Sequence, residues 1–120
     1  MPARTPDTYD PRDPDTWPNA TVVVRGGEGR VKMLTKQQDA TDGSWSVQSD
    51  PAASWDQLAR AIPQVFVRTT SLSAVRALGG WLVWSHQGPG DYHCDLLGLT
   101  PAEFDSILGD AVRNPRYPEP

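Results

Sequence analysis

A span of ten residues holds the side chains best suited to chemistry in this chain: His86, His93, Cys94 and Asp95. Two imidazoles and one carboxylate can supply three ligands to a zinc-like ion and leave a fourth position for water. Cys94, beside either histidine, could instead act as a nucleophile once its thiol loses a proton. Both chemistries require the side chains to converge, so the elements that carry them decide which is feasible.

Trp81 to Gln87 and Tyr92 to Leu97 read as two strands joined through Gly88-Pro89-Gly90-Asp91. With a four-residue loop, His86 faces His93 and Trp84 faces Asp95. Alternation then puts Leu82, Trp84, His86, His93, Asp95 and Leu97 on one side of the sheet and Cys94 on the other. A loop one residue longer or shorter brings His86 opposite Cys94 or Tyr92 instead.

The plainer reading makes the polar residues a solvated hairpin tip and Cys94 a small buried hydrophobe. It is favoured because neither H-E-x-x-H nor C-x-x-C spacing occurs. No catalytic residue, metal or cofactor is therefore assigned, and His86, His93 and Asp95 stand as a remote candidate metal set. Gly27-Glu28-Gly29 opens like a G-x-G-x-x-G loop, but Lys32 occupies the sixth position and the following segment reads as strand. Phosphate-loop and serine-elbow motifs are missing as well.

Composition bounds the rest. A chain of 120 residues suits one domain. Its charge of −4 and pI near 4.9 argue against nucleic acid as the main partner, because phosphate contacts need clustered Lys and Arg. One cysteine allows no intramolecular disulfide, so a reducing, cytoplasmic setting is expected. Residues 1–7 lack the apolar run of a signal peptide, and no segment approaches membrane-spanning length, so no membrane partner is expected.

The remaining elements assemble around that hairpin. Ala20 to Arg25 and Arg30 to Thr35 read as a first hairpin about Gly26-Gly27-Glu28-Gly29, and Ser44 to Gln48 as a third strand after the turn-forming run Asp39 to Gly43. A helix follows that either Asp50-Pro51 or Ser54 can cap, with Gln57 completing an S-x-x-Q box, and Trp55, Leu58, Ala59 and Ile62 lie on its apolar stripe. Val65 to Thr70 is a strand and Ser71 to Leu78 a short helix closed by Gly79. The last helix begins at Thr100-Pro101 with Glu103 reaching back, and its stripe is Phe104, Ile107, Leu108, Ala111 and Val112. The expected fold is α+β: a small, mainly antiparallel sheet of about six short strands with three helices over residues 20–113.

Pro-rich arms flank this body at residues 1–19 and 114–120. Their aromatics, Tyr9, Trp17 and Tyr117, either anchor a neighbouring subunit or belong to segments that are disordered or packed on the parent domain. Trp81 and Trp84 point to opposite faces of one strand, so the sheet needs a second cover: a helix, an arm or a partner protein. An intramolecular cover is favoured, and Trp84 joins the arm aromatics as an interaction candidate.

The expected function is a non-enzymatic interaction or assembly module that binds a protein partner or its own copies. Accessory or connector subunits of phage particles share this plan by analogy of design. An acidic inhibitor of the immunity or antitoxin kind is the alternative, and a small metal enzyme using His86, His93 and Asp95 comes behind it. No small-molecule partner is expected.

Overall fold

Val22, Val23 and Val24 open β1 (Val22–Gly26), a β-branched run near the middle of a six-stranded sheet. The computed structural model describes residues 8–40 and 43–119. Along the sheet the order is β4-β5-β2-β1-β3-β6, and every neighbouring pair is antiparallel. The other strands are β2 (Trp45–Ser49), β3 (Phe66–Ser71), β4 (Trp81–Trp84), β5 (His93–Leu97) and β6 (Val112–Arg113). The helices are α1 (Val31–Ala40), α2 (Trp55–Arg60), α3 (Leu72–Ala77) and α4 (Pro101–Ile107). The chain is thus α+β, as the sequence indicates.

Strand alternation divides the interior into two layers. On one face Val23, Trp45, Val47, Leu82 and Leu96 pack beneath Leu34 of α1, Leu72 and Val75 of α3, and Phe104 of α4. On the other, Val24 and Val67 meet Leu58 and Ala59 of α2 and the following Ile62. The capping boxes at Ser54/Gln57 and Thr100/Glu103 both form, with the side-chain and backbone hydrogen bonds that define them.

Three expectations about elements change. The segment read as the second strand of a hairpin, Arg30 to Thr35, lies mostly in α1. Lys32, Met33, Leu34, Lys36, Gln37 and Gln38 are good helix formers, and Leu34 is the residue that α1 buries in the core. The sheet's sixth strand is instead β6. The apolar stripe predicts a final helix through Val112, but α4 stops at Ile107, where Leu108 turns extended and the Gly109 amide donates to Thr69 O at 2.9 Å. That contact leads the chain to pair Val112 with Val67 at the edge of β3.

The second hairpin is the third change. Its register sets Trp84 opposite Cys94 and Val83 opposite Asp95, one residue away from the four-residue-loop pairing. Beyond the ladder, the Ser85 amide donates to His93 O at 3.1 Å, continuing the same register.

Both arms pack on the body where they are described; residues 1–7, Pro120 and the Thr41-Asp42 part of the expected turn lie outside the described residues. Trp17 is buried at 2% exposure and donates its indole N–H to Asp10 O at 2.9 Å. The first amides of α3 have no partner within their own helix. Those of Leu72 and Ser73 donate to Thr21 O, just past the arm, and to Asn19 O at its end. From α3, Arg76 also clamps the arm, donating to Trp17 O, Pro14 O, Asp15 O and Asn19 Oδ1. At the other end, Asn114 is fully buried and donates to Ala59 O, Ile62 O and Gln64 O, while the Tyr117 hydroxyl donates to Pro63 O at 2.6 Å.

Candidate functional site

The one-residue change of register separates the two imidazoles. Cys94 shares a face with Leu82, Trp84 and Leu96 and is buried in the core beneath the helices. His86 reaches the same side, its Nε2 lying 4.0 Å from Cys94 Sγ and 3.3 Å from Ser49 O. His93 and Asp95 lie on the opposite face, where His93 Nδ1 meets Ser85 Oγ at 2.5 Å and Nε2 stands 3.8 Å from Asp95. The set His86, His93 and Asp95 is therefore not assembled. Among the described residues, no group of three or more His, Cys, Asp and Glu is placed to hold a metal ion.

His86 and Cys94 do meet, but the chemistry of a cysteine nucleophile does not follow from the contact. Both groups point at the Ser49 carbonyl, with Cys94 Sγ at 3.8 Å. A carbonyl oxygen only accepts, so in the tautomer in which His86 Nε2 donates to it, that nitrogen has no lone pair to receive a proton from the thiol. Burial first, and then the negative charges of Asp50, Asp95 and Asp91, push the Cys94 thiol up to about 12. It stays a protonated, packed side chain.

That placement predicts silence toward thiol reagents: Ellman's reagent should leave native protein unmodified at mildly alkaline pH and titrate one thiol after unfolding. Stability should carry the same signature. The unfolded thiol deprotonates near 9.0 and the folded one near 12, so the unfolded state binds fewer protons between those values and stability falls as pH rises through that window. The alkaline limb of a denaturation series should be shallower in Cys94→Ala, by up to about 1.4 kcal/mol per pH unit. Equal slopes would show that the native thiol is not shifted.

The interaction candidates mostly turn inward. Trp17, proposed as an anchor for a neighbour, is part of the core, so its ring is not offered to a partner. Tyr9 packs on the same core, and the Tyr117 hydroxyl is held by Pro63 O. Trp84 is half-buried against the core, 4.9 Å from the His86 ring, with the Arg12 guanidinium 5.5 Å over its own ring.

Trp81 and Val83, on the other side of β4, remain 46% and 45% exposed. Register links their face to α2's side of the sheet: Val83 opposes Asp95, Asp95 opposes Ser46, and Gln48 opposes both His93 and Val24. Helix α2 covers that face at Val24 and Val67 and leaves Trp81, Val83, Asp95 and Ser46 outside its hydrophobic cluster. The Trp81 ring lies over Gly98, whose φ of 88° and missing side chain make the close approach possible. The opposite-face argument for the two tryptophans thus holds, and the second cover reaches only part of the sheet.

A second feature was missed in the sequence altogether. The β1–β2 ladder pairs only Val23 with Ser49 and Val24 with Gln48, after which the strands part. Arg25 fills the gap, donating from Nη1 to Ser46 O at 2.7 Å and from Nη2 to Gln37 Oε1. A lone arginine between valine and glycine in a strand gives no sign that its neighbour strand will splay away from it.

Comparison with protein-family models, with curated proteins and with solved structures found no match to this chain. Among the described residues no helix is long and apolar enough to cross a membrane.

Proposed function

We propose that this protein is a non-enzymatic interaction module that binds a protein partner through the bare β4-β5-β2 face. The observation that carries the reading is the exposed pair Trp81 and Val83 on one face of a sheet-edge strand. A half-exposed tryptophan on a rigid strand is a typical interface anchor, because it buries a large area at little entropic cost. The partner's chemistry is apolar with a basic rim. Asp95 stands directly opposite Val83, and the chain as a whole carries a charge of −4, which favours a partner of opposite sign over a second copy. This moves the contact from the arms, whose described parts pack on the body, to the sheet.

Two substitutions test the face. Trp81→Ala removes the anchor; Val83→Lys places a cation opposite Asp95, which suits the fold but repels a basic partner. A stoichiometric complex with a basic protein, purified from native extract and reconstituted from its two components, should weaken by roughly thirtyfold or more in either variant. Native protein that is monomeric and makes no such complex, or a complex unaffected by both changes, would overturn the reading. Self-association lost in both variants would give the face to a second copy instead.

A further inference from the structure

From the splayed end of the β1–β2 ladder we infer a binding site for a small carboxylate, with the Arg25 guanidinium as its receptor. Two hollows of about 250 and 290 Å³ meet at Arg25, Gly26, Gln37 and Gln64. The first is also walled by Ser46, Gln48 and His93. Among the described residues no carboxylate lies within ion-pair distance of Arg25; its two hydrogen bonds go to a carbonyl and an amide oxygen. The guanidinium has five N–H donors, so these contacts leave part of the fork unused.

A cation in a half-closed cleft with only neutral acceptors has given up water without gaining a counter-charge, and an incoming anion restores that balance. Burial accordingly pulls the Arg25 guanidinium below its usual range. The lining also selects the anion. One guanidinium, set among glutamine amides with Glu28 on the wall of the second hollow, matches the single charge and planar fork of a carboxylate better than a phosphate dianion. Gln48 and Gln64 can hydrogen-bond a polar body attached to it. Gly26 is part of the construction, because a Cβ there would overlap Gln64 Oε1 and Ile62 Cγ2 and close the junction of the hollows.

The test is titration of the whole, natural chain with N-acetylglycine, monitored by ¹H–¹⁵N spectra of the arginine side chains and by thermal unfolding. The expected result is a saturable shift of the Arg25 Nε–H resonance and a melting temperature that rises with ligand, as binding to the native state alone requires. N-acetylglycinamide, which lacks the charge, should do neither. Arg25→Lys keeps the charge but loses the fork, and should weaken binding at least tenfold.

A short peptide with a free C-terminus, run against its amidated form, separates a chain terminus from a free small acid as the source of the carboxylate. Binding of either acid supports the site. No saturable shift at Arg25 in the natural chain overturns it without reliance on any variant, and phosphate binding as tightly as the carboxylates overturns its selectivity. The hollow borders the proposed protein-binding face through Ser46, Gln48 and His93 but does not include Trp81, so Trp81→Ala should leave the titration unchanged.

Discussion

Arg68→Met should destabilise the protein by about 3–5 kcal/mol, read as a lower urea midpoint at unchanged slope. Arg68 rises from β3 with its side chain only 1% exposed and joins three segments of chain. Its Nη1 donates to Asp105 Oδ1 at 2.7 Å and to Gly29 O at 3.0 Å. Nε donates to Gly109 O, and Nη2 to Leu108 O and Asp105 O, near the C-terminal end of α4 where helix carbonyls lack partners. Methionine keeps most of the volume but removes every donor, leaving Asp105 with Arg30 alone at 3.6 Å.

The loss should exceed the net worth of the ion pair, because the orphaned carboxylate and carbonyls carry most of it. Arg68→Met combined with Asp105→Leu should therefore recover part of the stability. If the single variant loses less than about 1 kcal/mol, the Arg68 network is not what holds α4 to β3.

Trp17→Ala should cost a similar amount, about 3–5 kcal/mol, although Trp17 sits in a stretch whose composition suggests a loose tail. The ring is a core residue, its N–H is used by Asp10 O, and its carbonyl is held by Arg76. Truncation would leave a large cavity and free the turn at Pro14–Thr16 that packs beside β4. Deleting residues 1–19 should be worse still, because it also exposes the α3 amide of Ser73 that Asn19 O now receives. Such a deletion therefore reports on folding before it reports on any partner. A stable, cooperatively folding deletion would show instead that the arm is an accessory.

The arm illustrates what composition conceals. Five prolines and four aspartates in residues 1–19 argue against a helix or a core there, yet Pro14–Thr16 form a 3-10 turn capped by Asp13 and Trp17 enters the core. They do not forbid irregular backbone from being buried, provided its carbonyls find donors. Arg76 and the first turn of α3 supply those donors from more than fifty residues away, which no local pattern announces.

A similar divide runs through the candidate sites. The hairpin strands and their separation of Trp81 from Trp84 follow from period-two alternation, but which residue faces which depends on a single position of register. That position is set by the core: Cys94 fits beneath the helices with Leu82 and Leu96, whereas Asp95 would have to be buried in the alternative. Choosing the apolar residue for the core sends His93 to the other face and dissolves the metal set. The splaying of β1 from β2 that strands Arg25 among amides is likewise a relation between segments.

The sequence by itself determined the fold class, the two capping boxes, most strand positions and the absence of familiar catalytic spacing. All of these rest on contacts within a few residues or on the side-chain period of one element. Only the tertiary structure decided that 31–40 is a helix, that the described parts of both arms pack on the body, that Trp81 and Val83 stay exposed, and that Arg25 has no carboxylate partner among the described residues. Burial and pairing are settled between distant segments, and a residue becomes available for function only when every other part of the chain has failed to cover it.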